Sequence, residues 1–510
     1  MGGSGAGAGP FERVAHRVLR RAGPGAPARD HTPLDGFETQ DPASLQHHGS
    51  YLLGLTTAFG DIDLDDLDAP ARTYFNVGSL AFVHYRASWI LPLALLVAVL
   101  VNGLVAYELQ RGQLRARPVL IGLVGTVVSV GAAVLAAQAG WSRLAAVSES
   151  VAWDSYRLFY DSTPYLVAFC AAAMTIITAT TWLFRRWATA AELATAPLVV
   201  WSLAGIASAV YAPGVSYLFV WPALGGLVAL AVVLRDPAGR WQTALALGIA
   251  AAPALLLVLP WVEWLEVAMT LRLVAASVGL LALVVVLLTP QIEAMVRAWS
   301  WRVPATWLLV TVVGLVWASV SPEYDEVRKR PNQITYVADL DTGEAYWASR
   351  DPHVDDWTTQ VLGEDPPREQ LADFGFGSRT FLLRRTQAQP LAGPVLTIVS
   401  DTTEDGVRVL DLRVNALPGT FQTIVELMPA GASIKTIVLN DQWQLDPPET
   451  SAEGPVRLLT LMGAPEDGIA LRLTMSADKV VSLRVRTIRP GLPLPLGPRP
   501  ADTMSRGFDV

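Results

Sequence analysis

His31 stands in the run Arg29-Asp30-His31-Thr32-Pro33-Leu34-Asp35, a loop-like segment with aspartates on both sides. A neutral imidazole nitrogen in such a setting can bind a divalent metal, with a nearby carboxylate orienting the ring. Other ligating or reactive side chains are sparse. His47 and His48 are adjacent in a helical stretch, where successive side chains diverge by roughly 100° and do not converge on one ion. His84 and His353 have no partner at ligand spacing. Cys170 is the single cysteine, so the sequence holds no internal disulfide, no CxxC zinc knuckle and no dithiol couple, and its apolar surroundings mark it as packing. Arg272, in AMTLRLVAAS, falls inside an apolar run that has Glu263 and Glu266 towards its outer end. A charge at that depth is a candidate for transport or proton relay, with Glu266 as its partner, against the plainer reading that the arginine snorkels outward.

The elements that must position these residues are dominated by apolar sequence: 52% of residues are hydrophobic and 16% charged, too apolar a balance for an ordinary soluble chain of 510 residues. The net charge is −8 and the basic residues are scattered, which excludes a nucleic-acid partner. Eight runs, each close to the roughly 20 residues that cross a bilayer, fall near 88–107, 118–140, 164–184, 191–212, 214–234, 241–260, 264–289 and 303–321. Arginines alternate between the loops. Arg111, Arg115, Arg117, Arg185, Arg186, Arg235, Arg240, Arg297 and Arg302 follow the odd-numbered runs, whereas the other loops hold Arg143 and Arg157 among acids such as Glu149, Asp154, Asp161 and Glu263. By the positive-inside rule this predicts an integral, multi-pass membrane protein whose N- and C-terminal regions are both extracytoplasmic, with the lipid bilayer as its first partner. Tryptophans near the run ends, among them Trp89, Trp141, Trp187, Trp241, Trp261 and Trp301, fit an interfacial belt. Residues 1–29 read as a flexible low-complexity start without the apolar core of a cleavable signal.

After Pro322 the period changes from helical to alternating. Leu410, Leu412 and Val414 oppose Asp411 and Arg413; Ile469, Leu471, Leu473 and Met475 repeat the pattern, as do Val481, Leu483 and Val485. ITYVADLDTGEAYWAS reads as a hairpin turning at Gly343. Residues 322–490 are therefore expected to be a β-rich, sandwich-like domain, followed by a proline-rich tail at 491–510. The fold class is a polytopic α-helical membrane protein, 88–321, with a C-terminal extracytoplasmic β-rich domain.

Asp41 as N-cap and Pro42 at the first turn mark a helix start, and Leu45, His48, Leu52, Leu55 and Phe59 recur at the helical spacing of three and four. The run HTPLDGFETQDPASLQHHGSYLLGL resembles the last segment of M28-family zinc aminopeptidases, where a YHTxxDT motif supplies the final zinc-binding histidine and a helix begins at DP. YFNVGSLAFVHYRASWILPLALL, SYLFVWP and PNQITYVADLDTGEAYWAS are similar to the membrane and C-terminal regions of multi-spanning M28 peptidases, relatives of the endoplasmic-reticulum metallopeptidase and the vacuolar membrane protease. The resemblance implies that His31 matches the last zinc ligand and Asp35 the acid beside it, and that 30–87 is the remnant of the end of a peptidase domain. It departs from the family in having Asp30 for the tyrosine and Gly36 for the final threonine. The HxD pair and glutamate pair that complete the family's zinc site have no match upstream, where His16 is followed by Arg17 and Val18 and Glu12 stands alone. Zinc belongs to the complete family, and a lone histidine would not hold it stably here. The expected function is thus the membrane anchor or scaffold portion of an M28-type zinc metallopeptidase, not catalytic by itself. Two other readings stand beside it: a metallopeptidase completed by a separate peptidase subunit or by upstream sequence, and a small-solute or proton transporter built around Arg272; besides lipid, the partners expected are a peptidase subunit or a second copy of the chain in a homo-oligomer.

Overall fold

The computed structural model describes Gly36 and residues 42–60, 70–78, 80–148, 159, 161–236, 241–321, 324–371, 374–428, 434–445, 456–463, 465, 467–477 and 482–505. The described residues up to Tyr324 form one unit and those from Asp325 onward a second.

In the first unit, helix α1 (Pro42–Phe59) begins at the proline, whose fixed φ and missing N–H suit a first helical position. Its apolar stripe is exposed. Leu45, Leu52, Leu55 and Phe59 are 64%, 67%, 47% and 48% exposed, and the buried side chain of the helix is His47. Helical spacing determines which residues share a face, but another element must be present to cover it. An antiparallel hairpin follows, β1 (Arg72–Val77) with β2 (Ala81–Arg86). Its Phe75 is buried and stacks flat on Tyr217 with ring centroids 4.3 Å apart.

The helices that follow are α2 (Ile90–Gln110), α3 (Ala116–Val147), α4 (Thr163–Phe184), α5 (Ala190–Tyr211) and α6 (Tyr217–Arg235). After them come α7 (Trp241–Leu257), α8 (Pro260–Met269), α9 (Val274–Leu287), α10 (Thr289–Trp299) and α11 (Arg302–Val320). Among the described residues, 7 helical stretches are long and apolar enough to cross a membrane: Ala87–Gln110, Ala116–Val147, Thr163–Phe184, Ala190–Tyr211, Pro213–Arg235, Gln242–Met269 and Arg302–Val320. Side chains such as Val99, Leu203 and Leu309 stay exposed on the outer faces, which suits hydrocarbon and not water. Small residues let the helices approach closely. A Cβ on Gly122 would lie 2.9 Å from the Glu192 carbonyl oxygen, one on Gly314 would lie 3.1 Å from Ala168 Cβ, and one on Gly225 would run into the Ala250 carbonyl oxygen.

The expected run 264–289 is not one continuous span. Its first residues extend the helix that began at Gln242, and the chain breaks at Thr270, a non-glycine residue at φ 59°. Leu271–Leu287 then runs as a shorter segment, roughly 25 Å long at the helical rise, and meets Thr289–Trp299 at a bend of 74°. Two local causes are visible. Thr270 Oγ1 accepts the Arg272 N–H and so starts a new turn, and Pro290 offers no N–H to continue the ladder past Leu288. Hydropathy averages across both breaks and so merges what the backbone separates.

The second unit contains β3 (Arg330–Asn332), β4 (Thr335–Ala338), β5 (Ala345–Ser349), the short helix α12 (Thr359–Leu362), β6 (Arg368–Gln370) and β7 (Thr380–Thr386). These are followed by β8 (Val395–Glu404), β9 (Val407–Asn415), β10 (Gln422–Met428), β11 (Ile434–Leu439), β12 (Trp443–Leu445), β13 (Val456–Met462), β14 (Ile469–Ser476), β15 (Ser482–Ile488) and β16 (Thr503–Ser505). The expected hairpin is β4 and β5, turning at Gly343 with φ 74°, and it belongs to a sheet ordered β4-β5-β7-β6. A sheet ordered β12-β11-β14-β9-β8 and another ordered β13-β10-β15 share one apolar core. In that core Leu410, Leu412, Val414, Leu471 and Leu473 from the first meet Val425 and Leu459 from the second, so the alternating residues point inward as their period predicts. The proline-rich stretch expected as a separate tail is built into this unit. Leu492 and Leu496 pack on the cluster around Trp357, the Trp357 indole N–H donates to the Gly497 carbonyl at 2.8 Å, and β16 pairs in parallel with β3.

Candidate functional site

The polar chemistry buried in the helical unit gathers where the ends of α4, α5 and α10 and the turn before α3 come together. Helix α5 begins with a capping box: the Glu192 N–H donates to Thr189 Oγ1 at 3.3 Å, and the Thr189 N–H donates back to Glu192 Oε2 at 2.8 Å. The same carboxylate accepts from Arg115 three times, from Nε at 2.8 Å, Nη2 at 3.1 Å and the backbone N–H at 3.2 Å. Glu192 is 1% exposed, so this fork fastens the turn between α2 and α3 to the start of α5.

A second buried carboxylate, Glu293 on α10, lies 2.9 Å from Arg297 Nη2 and 3.7 Å from Arg185 Nε. Arg185 also donates through Nη1 to the Val296 carbonyl at 3.2 Å, which ties the end of α4 to α10. One turn before Glu293 is Thr289, which lines a cavity of about 20 Å³ together with Gly122, Thr126 and Ser129 of α3 and Thr180, Thr181 and Phe184 of α4. That volume holds about one water molecule. The hydroxyl protons are already committed: Thr126, Ser129, Thr180 and Thr181 each donate to a carbonyl four residues back in their own helices, and Thr289 donates to the Val286 carbonyl at the end of α9. What they turn to the cavity are lone pairs, so the space suits a molecule that donates hydrogen bonds, as water does. Both carboxylates are engaged by arginines, an arrangement that fastens helices and leaves neither acid free to take a substrate proton.

The residues singled out from the sequence do not gather here. His31 and Asp35 lie outside the described residues. Arg272 was expected well inside a span beside Glu266. It sits instead in the 3₁₀ turn Leu271–Leu273 at the break before α9, exposed, and forms no ion pair among the described residues. Glu266, on α8, bonds Ser162 and faces Glu263 and Asp161. His47 packs edge-on against Tyr51 at 4.0 Å, and burial followed by the neighbouring His48 lowers its pKa. The exposed His84 takes a hydrogen bond on Nδ1 from Arg72 at 2.9 Å. Among the described residues there is no group of three or more His, Cys, Asp or Glu side chains placed to hold a metal ion.

Glu192 and Glu293 carry sequence signals that hydropathy obscures. Thr189-Ala-Ala-Glu192 is the capping-box spacing directly after a basic loop, and Glu293 precedes Arg297 by one helical turn. Compared with protein-family models, with curated proteins and with solved structures, the chain matches none.

Proposed function

We propose that this chain is the membrane-embedded anchor and scaffold portion of an M28-type zinc metallopeptidase of the aminopeptidase class, not catalytic by itself. The observation that carries the reading is the uncovered face of α1. It follows directly on the HTPLDGFETQDP run that resembles the end of the peptidase domain, and its Leu45, Leu52, Leu55 and Phe59 lie 47–67% exposed. In a complete peptidase, a helix at that point would lay such a stripe against the catalytic domain. The loop arginines orient the bundle, with Arg115, Arg185, Arg186, Arg297 and Arg302 cytoplasmic. On this reading both terminal regions are extracytoplasmic, which the alternation of the loop arginines supports when eight crossings are counted.

The experiment has two arms. The purified chain alone should bind zinc weakly and hydrolyse amino-acid p-nitroanilides at background, with His31→Ala changing nothing, because one imidazole cannot supply three ligands and a positioned base. An M28-type catalytic domain carrying the HxD and paired-glutamate motifs, supplied in trans, should be retained by the wild-type chain and released by Leu52→Glu with Leu55→Glu. Stoichiometric zinc with His31-dependent hydrolysis by the chain alone would overturn the non-catalytic assignment. Equal retention by the double variant would overturn the role of α1.

A further inference from the structure

The end of α4 and the junction between α10 and α11 are held together by two hydrogen bonds, Trp182 Nε1 to Ser300 Oγ at 3.2 Å and Arg185 Nη1 to the Val296 carbonyl at 3.2 Å. Ser300 stands at φ 55°, a left-handed turn that reverses the chain between the two helices. Arg186, in the turn that follows α4, lies over the Trp182 ring with its guanidinium carbon 4.8 Å from the ring centroid. Arg302 follows Ser300 by two residues and is exposed. Arg186 and Arg302 form no ion pair among the described residues, whereas Arg185 and Arg297 both approach Glu293. Among the described residues the patch thus gathers the guanidinium groups of Arg185, Arg186, Arg297 and Arg302 around the Glu293 carboxylate. Trp299 and Trp301, 65% and 60% exposed, flank it, and below it α4 and α11 run side by side at the Gly314–Ala168 approach.

We propose that this patch is a binding site for one anionic glycerophospholipid, its phosphate held by Arg186 and Arg302 and its acyl chains laid along α4 and α11. Three features choose this occupant. The surplus positive charge calls for an anion, the planar guanidinium fork matches phosphate oxygens, and the flanking tryptophans are the side chains that settle at headgroup depth. A soluble anion would use the arginines alone. The site lies at the end of helices that require lipid around them, and it does not depend on which side of the membrane that end faces.

The test is native mass spectrometry of the full chain in micelles, titrated separately with phosphatidylglycerol, phosphatidylcholine and inorganic phosphate. Wild type should retain one phosphatidylglycerol in preference to phosphatidylcholine. Arg186→Gln with Arg302→Gln should weaken that binding roughly tenfold, Arg186→Lys with Arg302→Lys should retain most of it, and the charge-matched pair Arg111→Gln with Arg117→Gln should leave it unchanged. Equal retention of the two lipids by wild type, which needs no variant to fold, would overturn the proposal. Loss of binding in both glutamine pairs alike would reduce the effect to net charge and overturn it too. Displacement of the lipid by inorganic phosphate at comparable concentration would assign the arginines to a free anion instead.

Discussion

Arg115 Nε lies 2.8 Å from Glu192 Oε1 across a separation of 77 residues, and the carboxylate is the buried member, 1% exposed against 63% for the arginine side chain. The pair is therefore asymmetric: removing the acid strands donors, while removing the base leaves a capped carboxylate. Glu192→Ala deprives Thr189 N–H and the Arg115 backbone N–H of their acceptor and should cost about 1–3 kcal/mol. Arg115→Ala should cost less, because Thr189 still satisfies the carboxylate. Thermal unfolding in micelles, followed by tryptophan fluorescence, should rank Glu192→Ala well below Arg115→Ala. The reverse order would show that the arginine, not the cap, holds α5.

Helix approach makes a separate prediction at two glycines of neighbouring helices. A methyl group at Gly225 of α6 would collide with the Ala250 carbonyl, whereas at Gly248 of α7 nothing lies within 4 Å. Gly225→Ala should force the helices apart at a cost of about 1–3 kcal/mol. Gly248→Ala should be neutral or stabilising by up to about 1 kcal/mol through helix propensity. A melting-temperature comparison in the same detergent checks both.

The β-rich unit should lose stability in acid. Hydrogen bonding from Arg328 holds the Asp325 carboxyl down at about 2, and Asp401 is lowered by its side-chain bond to Arg408. Burial alone would raise Asp355, but hydrogen bonds from Asn332 and Thr358 outweigh it and leave its pKa lowered. A carboxyl whose folded pKa lies below its unfolded value of about 4 contributes fully above that value and loses its contribution as pH falls through the folded pKa. Hydrogen exchange of peptides from 325–505 should stay protected at neutral pH and open between about pH 4 and pH 2. Asp355→Asn should be less protected at neutral pH and flatter across that window.

Orientation can be read by labelling. In a Cys170→Ser background, cysteines at Gly112, in the turn after α2, and at Glu404, exposed on β8, should react with impermeant maleimide from opposite sides of the membrane. Labelling of both from outside intact cells would mean that Leu271–Leu287 does not cross, or that the arginine loops face outward.

Much of this architecture is legible in the amino-acid sequence, for reasons that differ between elements. The alternation at Leu410, Leu412, Val414 and at Ile469, Leu471, Leu473, Met475 specifies a buried face because a strand has only two faces to offer. The apolar runs mark helices because hydrocarbon leaves a backbone few other solutions. The break at Thr270 is hidden, since the residue that adopts φ 59° is neither glycine nor proline. The exposure of Leu52 and Leu55 is hidden for another reason: a stripe declares a face without naming its cover. The meeting of Arg115 with Glu192 is tertiary, and each residue read alone is an ordinary loop charge and an ordinary cap.

The parallel pairing of β16 with β3 sets an order of events during synthesis. Arg330–Asn332 emerge early in the second unit, yet their partners Thr503–Ser505 are made some 170 residues later, at the ordinary translation rate on the order of ten seconds afterwards. Until then β3 lacks the partner strand it has in the finished unit, and the Trp357 indole lacks its Gly497 acceptor. The sheets ordered β12-β11-β14-β9-β8 and β13-β10-β15 contain neither strand and can form as their own sequence appears. Closure of the unit is therefore a late step of high contact order, and a ribosome stalled before Thr503 would present a chain whose sheets are formed but whose first strand still waits for its mate.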